Sequence, residues 1–137
     1  MLFRLNQIYV SISIYFFAMI IWVIFFHRVN EFICCLIALF LHELGHIFTI
    51  YCLKAKISVF YVIPFGFSCR LKSQSKIEKD KMFKIILAGP ATSFTVAGLV
   101  FLWTKEFALI NLIIGIFNLI PIGNLDGGRI FRILMQS

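Results

Sequence analysis

The stretch LHELGHIFTI, Leu41–Ile50, is the feature of this chain from which its fold and chemistry can be argued. It contains the pattern His-Glu-x-x-His, formed by His42, Glu43 and His46, within an otherwise almost wholly apolar run. Residues i and i+4 lie nearly on one face of an α-helix, so the two imidazoles can reach one metal ion. The carboxylate beside the first histidine can accept the proton of a water that the metal activates. The pattern therefore predicts a zinc site on an apolar helix.

The composition indicates a membrane protein. Of the 137 residues, 61% are hydrophobic and only 14% are charged, and the mean hydropathy is +0.99. Apolar residues make up roughly half of a soluble domain, and this chain has too few polar side chains to cover such a surface. We expect residues 1–137 to form a single membrane-embedded domain.

The positive charges are distributed asymmetrically along the chain. All but two of the 13 lysines and arginines lie near the N-terminus, between residues 54 and 84, or in the C-terminal tail. The other two, Arg28 and Lys105, lie in short polar breaks on the opposite side. This positive-inside pattern predicts a multi-pass protein of the cell membrane whose two termini and site opening face the cytoplasm. Topology and contact with anionic lipids then explain the net charge of +7, and nucleic acid is not expected as a partner.

Four apolar segments are long enough to cross a bilayer as helices, which takes about 20 residues. They cover residues 7–26, 32–53, 82–103 and 107–125. The sequence KISVFYVIPFGFSCRLK, between the second and third segments, is rich in β-branched and aromatic residues and contains a Pro-Phe-Gly turn signal. The predicted fold class is therefore an all-α polytopic membrane protein with about four transmembrane helices and a short cytoplasmic-side β-hairpin.

The fourth apolar segment contains residues that break helices. Pro121 removes a backbone donor, and Gly123, Gly127 and Gly128 weaken the helix further. A broken helix at membrane depth must be covered by protein or line a wet cavity. Asp126 lies next to this break, and an ionisable residue in such a segment indicates a functional site.

The zinc site requires a third protein ligand if it is to keep one open position for water. Of the six acidic residues, Glu43 is assigned as the base and four others lie in loops or a polar linker, which leaves Asp126. A straight fourth helix that starts at Phe107 carries Asp126 about 28 Å, nearly to the cytoplasmic surface and past the depth of the histidines. We therefore expect the fourth segment to tilt, to start above the apolar core, or to bend near Pro121–Gly123.

The third apolar segment carries a face of small residues. Gly89, Ser93 and Ala97 recur at every fourth position, which places them on one side of a helix. Such faces allow membrane helices to approach closely, and we interpret this one as a packing surface. Direct contact of Gly89 or Pro90 with a substrate is the alternative.

Three motifs together resemble the site-2 proteases, a family of intramembrane zinc metalloproteases. They are the His42–His46 pattern, the sequence AGP at 88–90, and NLIPIGNLDGGR at Asn118–Arg129, and they occur in the order found in that family. The arrangement is most similar to the bacterial stage IV sporulation-type branch, and the similarity covers about residues 32–132. It implies a zinc endopeptidase with one Zn²⁺ per chain that cleaves a membrane-embedded or membrane-tethered protein near the cytoplasmic face.

The resemblance also implies roles for particular residues. His42, His46 and Asp126 match the zinc ligands of the family, Glu43 its general base, and Asn118 an asparagine that contacts substrate near the scissile bond. The hairpin matches an element that pairs with an unwound substrate by strand addition. A transcription-factor precursor is the implied substrate class, and an inhibitory or regulatory membrane protein is a further expected partner.

The chain departs from the family pattern in three places. Phe67 replaces a glycine after the hairpin turn, Gly123 and Asn124 replace the more usual prolines, and the chain ends eleven residues after Asp126. The sequence is then either a minimal core or a truncated form. Two other functions remain open on the sequence: a zinc-holding pseudo-protease or partner-binding subunit, and a metal transporter. The transporter would need polar or acidic residues in several spans, whereas the first and third spans offer only hydroxyls.

Overall fold

The computed structural model describes residues 2–5, 8–12, 29–55, 57–63, 66–71, 79–123 and 125–135. Within these residues the chain forms four strands and four helices. In chain order these elements are β1 (Leu2–Leu5), β2 (Ile8–Ile12), α1 (Val29–Cys52), β3 (Ile57–Ile63), β4 (Gly66–Leu71), α2 (Lys79–Val100), α3 (Lys105–Asn118) and α4 (Asp126–Met135).

Helices α1 and α2 are long and apolar enough to cross a bilayer. They have 24 and 22 residues, and their mean hydropathy reaches 1.9 and 1.5. Large apolar side chains cover their outward faces, such as Phe48, which is 68% exposed, and Leu99, which is 65% exposed. Lipid tails accept such surfaces, whereas water does not. The two helices begin and end within three residues of the second and third predicted spans, while the total of four spans stays a prediction.

The first predicted span, residues 7–26, is wrong over the part that the structure describes. Residues Ile8–Ile12 form strand β2, which pairs in parallel with β3, so that Tyr9 lies opposite Val59. Residues 13–28 lie outside the described residues. The error has a physical reason. A short run of β-branched and aromatic residues suits a strand as well as a buried helix, and the sequence alone does not reveal the strand with which it pairs.

Strands β3 and β4 lie where the sequence predicts the hairpin. They pair antiparallel, from Ile57 opposite Leu71 to Ile63 opposite Gly66. The sheet has the order β1-β2-β3-β4, with β1 antiparallel to β2. Strand β4 is therefore at an edge of the sheet, and it lies beside α1.

The three longer helices pack through small residues and share a modest apolar core. A Cβ added to Gly45 of α1 would lie 2.6 Å from the Ala88 carbonyl oxygen of α2. A Cβ added to Gly115 of α3 would lie 2.7 Å from the Phe94 ring of α2. These absent side chains let the backbones approach each other closely. The core residues that pack between α1 and α3 are Cys35, Ala38, Leu39, Phe107, Ile110 and Ile114.

The fourth predicted span, residues 107–125, is not one continuous helix. Helix α3 ends at Asn118 after 14 residues, or about 21 Å, and α4 begins at Asp126. The chain turns between them. Gly123 has a φ of +54° there, a left-handed conformation that residues other than glycine rarely adopt. The bend expected near Pro121–Gly123 is thus present, and it interrupts the helix before the aspartate.

The first turn of α4 is seated directly on the backbone of this bend. A Cβ on Gly127 would overlap the carbonyl group of Leu119, and a Cβ on Gly128 would lie 2.7 Å from the Gly123 carbonyl oxygen. Backbone atoms cannot move aside as the end of a flexible side chain can. The two glycines therefore fix where α4 starts, and with it the position of Asp126.

We predict that Gly127→Ala destabilises the protein and reduces its zinc uptake, because the new methyl group forces α4 away from Leu119. Overpacking of this kind costs about 1–3 kcal/mol. Thermal unfolding in detergent and zinc content after dialysis measure the two effects. Gly123→Asn is the matched control in the same bend, since a Cβ there meets nothing within 4 Å and asparagine tolerates a positive φ. Equal losses in both variants would contradict the steric account.

Candidate metal centre

His42, His46 and Asp126 meet inside the helix bundle. The two histidines lie on the inward face of α1, Asp126 is the first residue of α4, and all three are buried. His42 Nε2 lies 3.1 Å from Asp126 Oδ2, and His46 Nε2 lies 3.2 Å from the same oxygen and 3.3 Å from His42 Nε2. One ligating atom from each residue lies within 4.8 Å of the others. The structure thus brings together the three residues that the sequence predicts as metal ligands.

The other ring nitrogen of each histidine faces α2. His46 Nδ1 lies 2.7 Å from the Ile85 carbonyl oxygen, and His42 Nδ1 lies 2.9 Å from Ser93 Oγ. A carbonyl oxygen only accepts hydrogen bonds, so His46 Nδ1 carries a hydrogen and donates it. In a neutral imidazole the Nε2 lone pair of His46 is then directed toward Asp126, as a metal ligand requires.

Gly89 leaves a gap in front of the two histidines. A Cβ at this position would overlap His46 Nε2 and lie 2.6 Å from His42 Nε2. The absence of a side chain lets both nitrogens and the aspartate oxygen converge against the backbone of α2, at the position that a Cβ would fill. Two imidazoles and a carboxylate around such a gap match the donor set of a catalytic zinc site, which leaves a fourth position for water or substrate.

Asp126 has its two oxygens in different surroundings. Oδ2 faces the histidines, whereas Oδ1 lies 3.9 Å from Arg129 Nη1, one turn further along α4. The carboxylate also lies at the N-terminus of α4, where the helix dipole favours negative charge. These contacts direct one oxygen of Asp126 into the site.

Glu43 lies beside the cluster and is not one of its three converging residues. It is half-buried on α1, between the two histidines in sequence. At 100° per residue it lies about 60° around the helix axis from His46. Its side chain is therefore at the edge of the inward face that carries the histidines.

Asn118 ends α3 and is half-buried. Its Nδ2 donates a hydrogen bond to the Ile114 carbonyl oxygen at 3.0 Å, so its amide group is oriented by its own helix. The structure does not bring Asn118 into the three-residue cluster.

Sequence reasoning missed the supporting contacts on α2. The small face is buried as predicted, with Gly89, Ser93 and Ala97 all in the interior. Packing was the main role assigned to it and substrate contact the alternative, but Ser93 and the Ile85 carbonyl contact the histidine rings. The signal that could have indicated the Ser93 contact is a hydroxyl on the same helix face as Gly89, one turn away, where alanine would pack as well.

A His-Glu-x-x-His helix is the ligand arrangement typical of zinc metallopeptidases, and here an aspartate joins it inside an apolar helix bundle. The chain belongs to peptidase family M50, whose family model matches residues 31–106 and 102–137. Zinc is the metal of this family, and His42, His46 and Asp126 form the group that can hold it.

Two curated relatives and one solved structure are similar to the chain. It is 33% identical over 120 residues to zinc metalloprotease MJ0392 of Methanocaldococcus jannaschii, which covers 77% of this chain and 34% of that protein. It is 29% identical over 115 residues to Stage IV sporulation protein FB of Bacillus subtilis, which covers 77% of this chain and 40% of that protein. The chain therefore spans well under half the length of these relatives.

The structure itself resembles that of the site-2 protease from Methanocaldococcus jannaschii. The TM-score is 0.79 at 27% sequence identity, and the match covers 97% of this chain and 69% of the other. The likeness therefore extends over nearly the whole chain.

We predict that Gly89→Ala abolishes zinc binding, because its methyl group would occupy the space in front of both Nε2 atoms. Zinc per chain, measured by atomic absorption on purified protein, should fall from one to near zero. Gly98→Ala is the matched control on the same helix, since its Cβ meets nothing within 4 Å and the change favours helix by about 0.5–1 kcal/mol. A Gly89→Ala protein that retains one zinc would show that the gap is not where the metal binds.

Proposed function

We propose that the chain is a zinc endopeptidase that hydrolyses a peptide bond of a membrane-embedded or membrane-tethered protein. The observation that carries the proposal is the convergence of His42 Nε2, His46 Nε2 and Asp126 Oδ2 on the gap left by Gly89. Three protein ligands leave one position open, which is the arrangement of a catalytic rather than a structural zinc site. In such a site zinc acts as a Lewis acid, which activates water and polarises a carbonyl group.

Glu43 is the proposed general base. It follows His42 directly on α1, and its half-buried carboxylate lies at the edge of the metal centre. It accepts the proton of the attacking water and passes that proton to the amine that leaves, so it is regenerated in each cycle. Because Glu43 is not among the converging ligands, its loss should affect chemistry without removing the metal.

The proposed substrate is a protein segment that unwinds before it is cut. A helical segment in a membrane has its peptide groups hydrogen-bonded within the helix, so the scissile carbonyl must first be released. Strand β4 supports this proposal because it is an edge strand beside α1 and can accept an added strand. The backbone hydrogen bonds of strand addition compensate for those lost on unwinding.

Asn118 is the proposed substrate contact. Its Nδ2 is used by the Ile114 carbonyl, which leaves its side-chain oxygen to accept an N–H group from an extended substrate. The position supports this role, because Asn118 is the last residue of α3 before the bend that leads to Asp126.

The proposed orientation places both termini and the site opening on the cytoplasmic side of the cell membrane. The concentration of lysines and arginines between residues 54 and 84 supports this orientation. A membrane-tethered transcription-factor precursor is the proposed substrate class, and a regulatory membrane protein is a proposed partner. Similarity to Stage IV sporulation protein FB supports a role in sporulation.

We predict that Glu43→Gln abolishes cleavage but retains one zinc per chain, because the amide keeps the size of the side chain and cannot accept the proton. A loss of at least about 100-fold in rate is expected for a general base. Cleavage of a co-expressed membrane-tethered substrate and the zinc content of the same preparation measure the two effects.

His42→Ala is the control that should lose both zinc and cleavage. Full activity of Glu43→Gln would contradict the mechanism. One zinc per chain in the wild type with failure to cleave any membrane substrate would favour a non-catalytic, zinc-holding subunit instead.

A further inference from the structure

We propose that Ser93 is a positioning residue that holds the ring of His42 in the orientation that zinc binding requires. This inference rests on the proposed function, in which His42 is a zinc ligand. Ser93 lies on α2 and is fully buried, and its Oγ lies 2.9 Å from His42 Nδ1. It touches the ligand rather than the metal or the substrate.

The contact occupies Nδ1 of His42 and leaves Nε2 as the nitrogen that can face a metal. When Nδ1–H donates to Ser93 Oγ, the lone pair of Nε2 is directed at the gap beside Gly89. Nε2 in fact lies 3.1 Å from Asp126 Oδ2, on the side of the ring away from Ser93. A hydroxyl group can accept this hydrogen bond and still donate its own hydrogen elsewhere, so it suits the position chemically.

His46 is held in the corresponding way by the same helix. Its Nδ1 donates to the Ile85 carbonyl oxygen at 2.7 Å. Ile85 and Ser93 are eight residues apart, or about 12 Å along α2, and Gly89 lies midway between them. One face of α2 therefore holds the outer nitrogens of both histidines at its two ends and leaves the gap for the metal in its middle.

Close helix packing alone does not account for a serine at this position. Packing requires a small side chain, and alanine would meet that requirement without the cost of burying a hydroxyl group. Transfer of a hydroxyl from water to an apolar environment is unfavourable unless the hydroxyl is hydrogen-bonded. The hydrogen bond with His42 offsets that cost, so the residue type follows from the metal ligand rather than from the helix contact.

The test compares zinc affinity in variants that differ in one hydroxyl group. Ser93→Ala removes the hydroxyl next to His42. Thr95→Ala is its matched control, because Thr95 is an exposed residue of the same helix whose Oγ1 donates only to the Ala91 carbonyl oxygen, at 2.8 Å. Each protein is purified in detergent, and its zinc dissociation constant is measured by competition with a chelator at fixed pH.

We expect zinc to bind about 10–100-fold more weakly to Ser93→Ala than to the wild type, as for other partners of metal-ligating histidines. Thr95→Ala should bind zinc as the wild type does. The metal-free melting temperature of each variant is measured as well, because Ser93→Ala leaves the buried Nδ1 of His42 without its partner, and this loss of stability has to be separated from the loss of zinc affinity. The visible absorption of Co²⁺-loaded protein should change in Ser93→Ala only.

A second pair keeps the test valid if Ser93→Ala does not fold. Ser93→Thr and Ser93→Val have nearly the same shape and differ only in the hydroxyl group. Zinc should bind Ser93→Thr at least about 10-fold more tightly than Ser93→Val. Equal affinities within this pair, or a wild-type affinity in Ser93→Ala, would overturn the proposal.

The result also separates this proposal from the proposed function. If the wild type takes up no zinc, or if His42→Ala binds it as tightly as the wild type, the assignment of His42 as a ligand fails. If both behave as expected and only Ser93→Ala is unaffected, the metal site stands and the positioning role fails.

Discussion

The structure depends on bringing one carboxylate to two imidazoles inside an apolar bundle. His42 and Asp126 are 84 residues apart in sequence, yet their side-chain atoms lie 3.1 Å from each other. A carboxylate in apolar surroundings is costly unless a cation or hydrogen-bond donors neutralise it, and a zinc ion between these residues supplies the largest such compensation. Three features bring these side chains together: the bend after α3, the glycines at the start of α4 and the small face of α2.

The role of α2 extends beyond packing. It contributes none of the three converging ligands, but it contacts the outer nitrogen of each histidine and presents Gly89 at the place where a side chain would block the site. Metal sites are usually completed by such outer contacts, which set the tautomer and direction of the ligands. In this chain both outer contacts come from one face of α2. The distance between α1 and α2 therefore also determines how the two histidines are oriented in the site.

The sequence allowed the metal centre to be predicted more reliably than the fold around it. Ligand identity followed from strong constraints, because His42 and His46 share a helix face and few other acidic residues could join them. The bend was also expected, since Pro121 and Gly123 cannot continue a helix without cost. The contact of Ser93 with His42 depends on how α1 packs on α2, and the period of one helix does not determine that distance.

The first apolar segment is a part of the fold that the sequence did not predict. Its hydrophobicity alone suggested a transmembrane helix, whereas Ile8–Ile12 pairs with β3 in the structure. Strand pairing joins residues that are about fifty positions apart, so local composition could not reveal it. Long apolar helices such as α1 and α2 were predictable because their backbone hydrogen bonds are all local.

The central claim is that two histidines and an aspartate hold one zinc ion. X-ray absorption at the zinc edge of the purified protein tests it most directly, because the bond lengths distinguish the ligand types. We predict only nitrogen and oxygen neighbours, at about 2.0–2.2 Å, with the scattering pattern of two imidazoles and loss of zinc in Asp126→Ala. Cys34, Cys35 and Cys52 are free thiols that could bind zinc instead. A sulfur neighbour at about 2.3 Å, or an unchanged spectrum in Asp126→Ala, would contradict the account.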